Sequence, residues 1–146
     1  MNFDKLINAA QLIILNDKVT ENSLGDLLSG NIRAVKGPRR PNDWVGENCF
    51  TLHIPSNPRN KDFKTHNGSM LINYYCPSYP SGNANIELMG RVAERLLYLF
   101  DDNPPTVTGY EIYDWSVGEV LGPLYDSDAP GEHYSSLRIG FFLREN

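Results

Sequence analysis

Cysteine is nearly missing from this 146-residue chain, and the two that occur, Cys49 and Cys76, can build neither a disulfide framework nor a zinc site with paired ligand spacing. They are expected as buried, reduced thiols. No apolar run approaches the length of a membrane helix; the longest lies around Leu12 to Leu15, and the first residues have neither the basic start nor the cleavage site of a signal peptide. The expectation is an intracellular protein with no membrane role. Positive charge is also short, because 13 Lys and Arg against 18 Asp and Glu leave a net charge of −5, which argues against a general affinity for phosphate backbones. A phosphate-binding glycine loop, a nucleophile elbow, a dinucleotide fingerprint, internal repeats and low-complexity tracts are all absent from the sequence.

What is present describes an ordinary globular chain: 40% hydrophobic, 11% aromatic and 21% charged residues. A domain of this size buries roughly two-thirds of its unfolded surface, so residues 1–146 are expected as a single α/β domain. The charge is unevenly spread. Between Arg33 and Lys64 stand seven basic residues and three acids, whereas Asp101 to Glu132 holds eight acids and no Lys or Arg.

Asn2 is placed to cap a first helix, in which Phe3, Leu6, Ile7, Ala10, Ile13 and Ile14 share one stripe of a 3.6-residue repeat. Leu12 and Leu15 fall on the opposite side, where either the segment Thr20 to Ser29 or a neighbouring subunit must cover them. From Asn31 the period becomes alternating, giving strands at Ile32–Lys36, Cys49–Ile54 and Ser69–Cys76. Two long polar loops, 37–47 and 55–68, separate these strands and exceed ordinary hairpin connections, which marks them as functional. Near Asn83 or Asn85 the clearest helix begins. Ile86, Met89, Val92, Ala93, Leu96, Leu99 and Phe100 form its buried stripe, Glu87 and Arg91 pair one turn apart, and Asn103, Pro104 and Pro105 stop it. A strand at Val107–Trp115, an acidic loop through Pro123 to Gly131 and a last strand at His133–Arg144 complete the chain. The order predicts an α+β fold: a mixed, mainly antiparallel sheet of about five strands with two main helices on one face.

Chemistry has one candidate position, the acidic loop ending in Asp126, Asp128, Glu132 and His133, whose spacing fits no metal-ligand motif; a small metal-dependent hydrolase built on Asp128, Glu132 and His133 is the rival reading. Neither thiol has a context that would lower its pKa, and no cofactor is expected. The basic loops carry a sharper expectation. Pro38 and Pro41 stiffen the segment that holds Arg39 and Arg40, and Trp44 follows, so this loop either docks on a partner or folds Trp44 over its own core.

The element order, the loop GPRRPNDWVGE, the helix IELMGRVAERLLYLFDD and the closing strand HYSSLRIGFFLRE resemble the tail terminator proteins of long-tailed bacteriophages, also called tail completion or minor tail proteins. The resemblance covers nearly the whole chain. It implies a mixed sheet with helices on one face, no enzymatic activity, and a homo-oligomeric, hexameric ring in the virion, assembled in the host cytoplasm. Such a ring caps the tail tube and joins it to the neck or stopper protein, while DNA passes through without specific binding. A ring places different patches of successive copies in contact, and opposite charge suits such patches. The resemblance implies that Arg39, Arg40 and Trp44 reach the tube or a neighbouring subunit, and with the basic Arg59, Lys61 and Lys64 and the outward Leu12 and Leu15 they make up the expected interface. The opposing or lumen-facing surface would hold Asp114, Glu119, Asp126, Asp128 and Glu132. Alternative readings are another neck protein, stopper or adaptor, and a host-directed binding module.

Overall fold

The computed structural model describes residues 3–55, 64–125 and 131–146. Three helices, α1 (Asp4–Leu15), α2 (Leu24–Leu27) and α3 (Ile86–Phe100), accompany five strands: β1 (Ala34–Lys36), β2 (Cys49–His53), β3 (Thr65–Pro77), β4 (Tyr110–Tyr125) and β5 (Glu132–Glu145). The strands form one sheet in the order β1-β2-β3-β5-β4, in which β1 and β2 run parallel and all other neighbours antiparallel. This is the expected α+β fold with a mixed, mostly antiparallel sheet. The antiparallel pairing of β5 with both β3 and β4 makes β5 an interior strand and leaves β4 as an edge.

Alternation along the central strands separates two faces. Met70, Ile72, Tyr74 and Cys76 of β3 and Leu137, Ile139, Phe141 and Leu143 of β5 are buried on one side, with Met70 opposite Ile139 and Ile72 opposite Leu137. Against that side pack Leu6, Ala10 and Ile14 of α1 and Met89, Val92, Leu96 and Phe100 of α3. Each fully buried Leu or Ile contributes about 1.5–3 kcal/mol relative to an exposed one, so these stripes are what holds the helices on the sheet. Phe50 of β2 stacks on Tyr74 with ring centroids 5.0 Å apart, and the Tyr74 hydroxyl donates to Asn48 Oδ1 at 2.6 Å. Polar ties fix the remaining joints: Gln11 donates to the Ala34 carbonyl at 2.9 Å, and the Trp115 indole to the Phe100 carbonyl at 2.7 Å.

Several expected boundaries move. The strand expected to end at Trp115 continues to Tyr125, because three register irregularities, between Tyr113 and Ser116, Val117 and Val120, and Leu121 and Leu124, break the period of two without ending the pairing. Likewise β3 begins at Thr65, so the second long loop is shorter than the 55–68 expected. Ile86 is 69% exposed rather than buried, since it opens α3 before the helix settles on the sheet. Asn85 caps α3, accepting from the Leu88 N–H at 3.2 Å, and Arg91 donates to Glu87 at 2.9 Å, both as expected. Asn2 lies outside the described residues; Phe3 occupies the N-cap of α1.

Between α1 and α2 the chain turns so tightly that a Cβ on Gly25 would lie 2.7 Å from the Lys18 Cα. Asp17 locks this turn to α3, accepting from Arg95 at 2.6 and 2.8 Å and from the Leu24 N–H at 2.8 Å. Burial alone would raise the Asp17 carboxyl, but the Arg95 guanidinium and the Leu24 N–H prevail and hold it below the ordinary carboxylate range. A depressed folded-state pKa means that the unfolded chain binds the proton first. The stabilisation is therefore complete above about pH 4 and is lost as pH falls through the lower folded value. Melting curves taken from neutral to acidic pH should show a smaller acid-side loss in Asp17→Asn than in wild type; equal slopes would mean that this carboxyl is not the titrating tie.

Candidate interaction surfaces

The first long loop does not project freely. After Gly37 it crosses the sheet face away from the helices as a strap, with a 3-10 turn at Asn42–Trp44. Arg40 forms an ion pair with Glu132, the first residue of β5, and these side chains are only 8% and 2% exposed. Gly46 N–H donates to the other carboxylate oxygen of Glu132 at 2.5 Å. The Arg40 guanidinium lies 4.2 Å from the centroid of the Tyr75 ring, and Tyr75 stacks on Tyr134 at 5.6 Å. Under the strap sits Cys49, in contact with Arg40, and Thr51 on the same face is also fully buried. Burial pushes the Cys49 and Cys76 thiols up, and at Cys49 it outweighs the opposing Arg40 guanidinium, so both move away from thiolate character.

This geometry corrects two expectations. Arg40 and Glu132 are not offered to different subunits; they satisfy each other inside one chain, because a carboxylate buried beside Tyr75 needs a charged, hydrogen-bonding partner. Leu15 packs against the core, covered from within, whereas Leu12 stays 55% exposed. Arg39 is exposed and among the described residues has no hydrogen-bond or ion-pair partner, while Trp44 is half-buried. Lys64 is exposed at the start of β3. Asp114, in a left-handed conformation with φ +48, and Glu119 are exposed on the edge strand β4. Arg59, Lys61, Asp126 and Asp128 lie outside the described residues.

Of the residues in the hydrolytic reading, Glu132 and His133 are described, and they separate. Glu132 turns to the strap, but His133, being the next residue of a strand, points to the other face, where its Nδ1 lies 2.6 Å from the Ser78 hydroxyl and its ring meets Tyr125 edge-on. Among the described residues no group of three or more His, Cys, Asp and Glu is placed to hold a metal ion, and no helix is long and apolar enough to cross a membrane.

Beyond the strap, the sheet face away from the helices is left to solvent along Asn67, Tyr113, Leu121, Leu124 and Arg138. Leu121 opposite Ser136 and Leu124 opposite Tyr134 are 59% and 39% exposed. The sequence pattern does not reveal these residues, because the alternation that marks the strand stops at Trp115. Continued pairing across bulges leaves no period-two signal, although the recurrence of Val117, Val120, Leu121 and Leu124 was a hint of an extended apolar segment.

No family model and no curated protein matches the sequence. Among solved structures 26 chains match it, and one of them aligns over 100% of this chain and 98% of its own with a TM-score of 0.56 and 16% identity. The likeness is one of fold alone.

The strap should be a stability element. Removing one partner of a buried pair strands the other charge, so Arg40→Ala is expected to cost about 3–5 kcal/mol in denaturant unfolding. Arg39→Ala should change stability by less than about 0.5 kcal/mol. Equal, small effects would show that the Arg40 contact carries no weight.

Proposed function

We propose that this chain is a virion structural protein, a ring-forming tail terminator that caps the tail tube of a long-tailed bacteriophage and joins it to the neck. The observation that carries this reading is the second sheet face. One side of the sheet is sealed by α1 and α3, while the other presents the strap and the exposed Leu121 and Leu124. Exposed apolar groups clustered on one face mark a surface that is covered in the assembled state. A molecule whose two broad faces differ this much is suited to front-to-back contact, in which one patch meets a different patch on the next copy and the rotation closes a ring. The α+β layout, with helices confined to one face, agrees with what the resemblance implies.

In this reading Asp114 and Glu119, exposed on the edge strand, are available to line the passage, where carboxylates repel DNA phosphates and let the duplex slide. Leu12 and the strap's Arg39 and Trp44 are contact residues toward a neighbour or the tube. The tube protein and the neck or stopper protein are the partners.

Electron microscopy of the purified protein, alone and mixed with purified tail tubes, tests this. Closed rings and tubes blocked at one end are expected, and Leu121→Asp should fold but form rings at least about tenfold less readily. A strict monomer that leaves every tube end bare contradicts the proposal.

A further inference from the structure

On the helix layer, away from the strap, a groove of about 600 Å3 runs between the turn before α2 and the outer face of α3. Leu27, Glu21, Glu94 and Tyr98 line it together with Arg91 and Arg95. The cations beside it are already committed. Arg91 is bound to Glu87 at 2.9 Å, and Arg95 to Asp17 at 2.6 Å. Glu21 and Glu94 are exposed and have no hydrogen-bond or ion-pair partner among the described residues. Tyr98 is 72% exposed, with the Arg95 guanidinium over its ring, 4.6 Å from the centroid. An adjoining hollow adds Asp26 and Glu87, so four carboxylates face two arginines along the whole groove.

The strap on the other side of the sheet offers the complement. Arg39 stands between Pro38 and the anchored Arg40, so its backbone is held by a proline ring on one side and a buried ion pair on the other. A guanidinium presented from a fixed backbone loses little freedom on docking, and its planar fork suits carboxylates and an aromatic face. We propose that the α2–α3 groove receives Arg39 of a second copy, which pairs with Glu21 and Glu94 and lies against Tyr98. This rests on the ring reading and assigns its two contact patches. Because strap and groove lie on opposite sides of the sheet, the contact is head-to-tail: a second copy docked this way exposes its own free groove to a third. Charge here fixes register and speeds encounter, while apolar contact supplies most of the affinity.

Sedimentation velocity over a concentration series, on wild type, Arg39→Glu, Glu94→Arg and the two combined, tests the assignment. Each single reversal is expected to raise the concentration for half-assembly at least about tenfold, and the combination to return it to within about threefold of wild type. Glu21→Arg serves as a second groove variant with the same expected loss. All three residues are exposed and have no partner among the described residues, so melting temperatures should match wild type. If a single reversal assembles normally, or the combination stays apart, the groove assignment is overturned and the ring stands. Wild-type protein that remains monomeric at every concentration overturns both.

Discussion

Glu132 enters a sheet face from which the strap excludes water, and its carboxylate is tolerated there only because Arg40 and the Gly46 N–H meet both of its oxygens. This ion pair closes the chain on itself across 92 residues. Around it the strap is held on Tyr75, Cys49 and Thr51 are sealed, and Arg39 is turned outward. A buried pair of this kind contributes little net stability over an apolar substitute, but breaking it is costly, so its effect is to specify one position for the loop. Without it the basic loop would be a solvated tether, and ordering it on a partner would cost entropy at every contact.

The sheet supplies the second constraint. Its alternation forces the helices onto one side and leaves the other to the strap and to Tyr113, Leu121 and Leu124. The molecule therefore has a front and a back of different chemistry. Front and back can meet only in a heterologous contact, which closes or runs on but does not end at a dimer. The proposed ring follows from that asymmetry together with the layout, and in that proposal the groove beside α3 is the feature of the back that the front recognises.

Much of the framework was legible because it is local. The 3.6 period of Met89, Val92, Leu96 and Phe100 and the alternation of Leu137, Ile139, Phe141 and Leu143 announce a helix and a strand without help from the rest of the chain. The irregular β4 was not legible beyond Trp115, since its bulges erase the period while cross-strand pairing with β5 preserves the strand. The interaction surfaces were less readable still. Counting charge found a basic segment and an acidic one, but the sum does not reveal that Arg40 and Glu132 neutralise each other within one chain, nor that Glu87 and Asp17 quiet the arginines of α3 and leave Glu94 free. The two leucines on the outer side of α1 are equivalent by spacing; only the tertiary packing separates Leu15, against the core, from Leu12, in solvent.

The central claim is that an intramolecular ion pair immobilises the strap and so builds one side of the proposed assembly contact. Amide hydrogen exchange at Gly46 reports this most directly, because that N–H has the Glu132 carboxylate as its acceptor. The account predicts slow exchange at Gly46 in wild-type protein, comparable with the amides of the paired central strands, and fast exchange in Glu132→Ala with those strands still protected. Rapid exchange at Gly46 in the wild-type protein would contradict it.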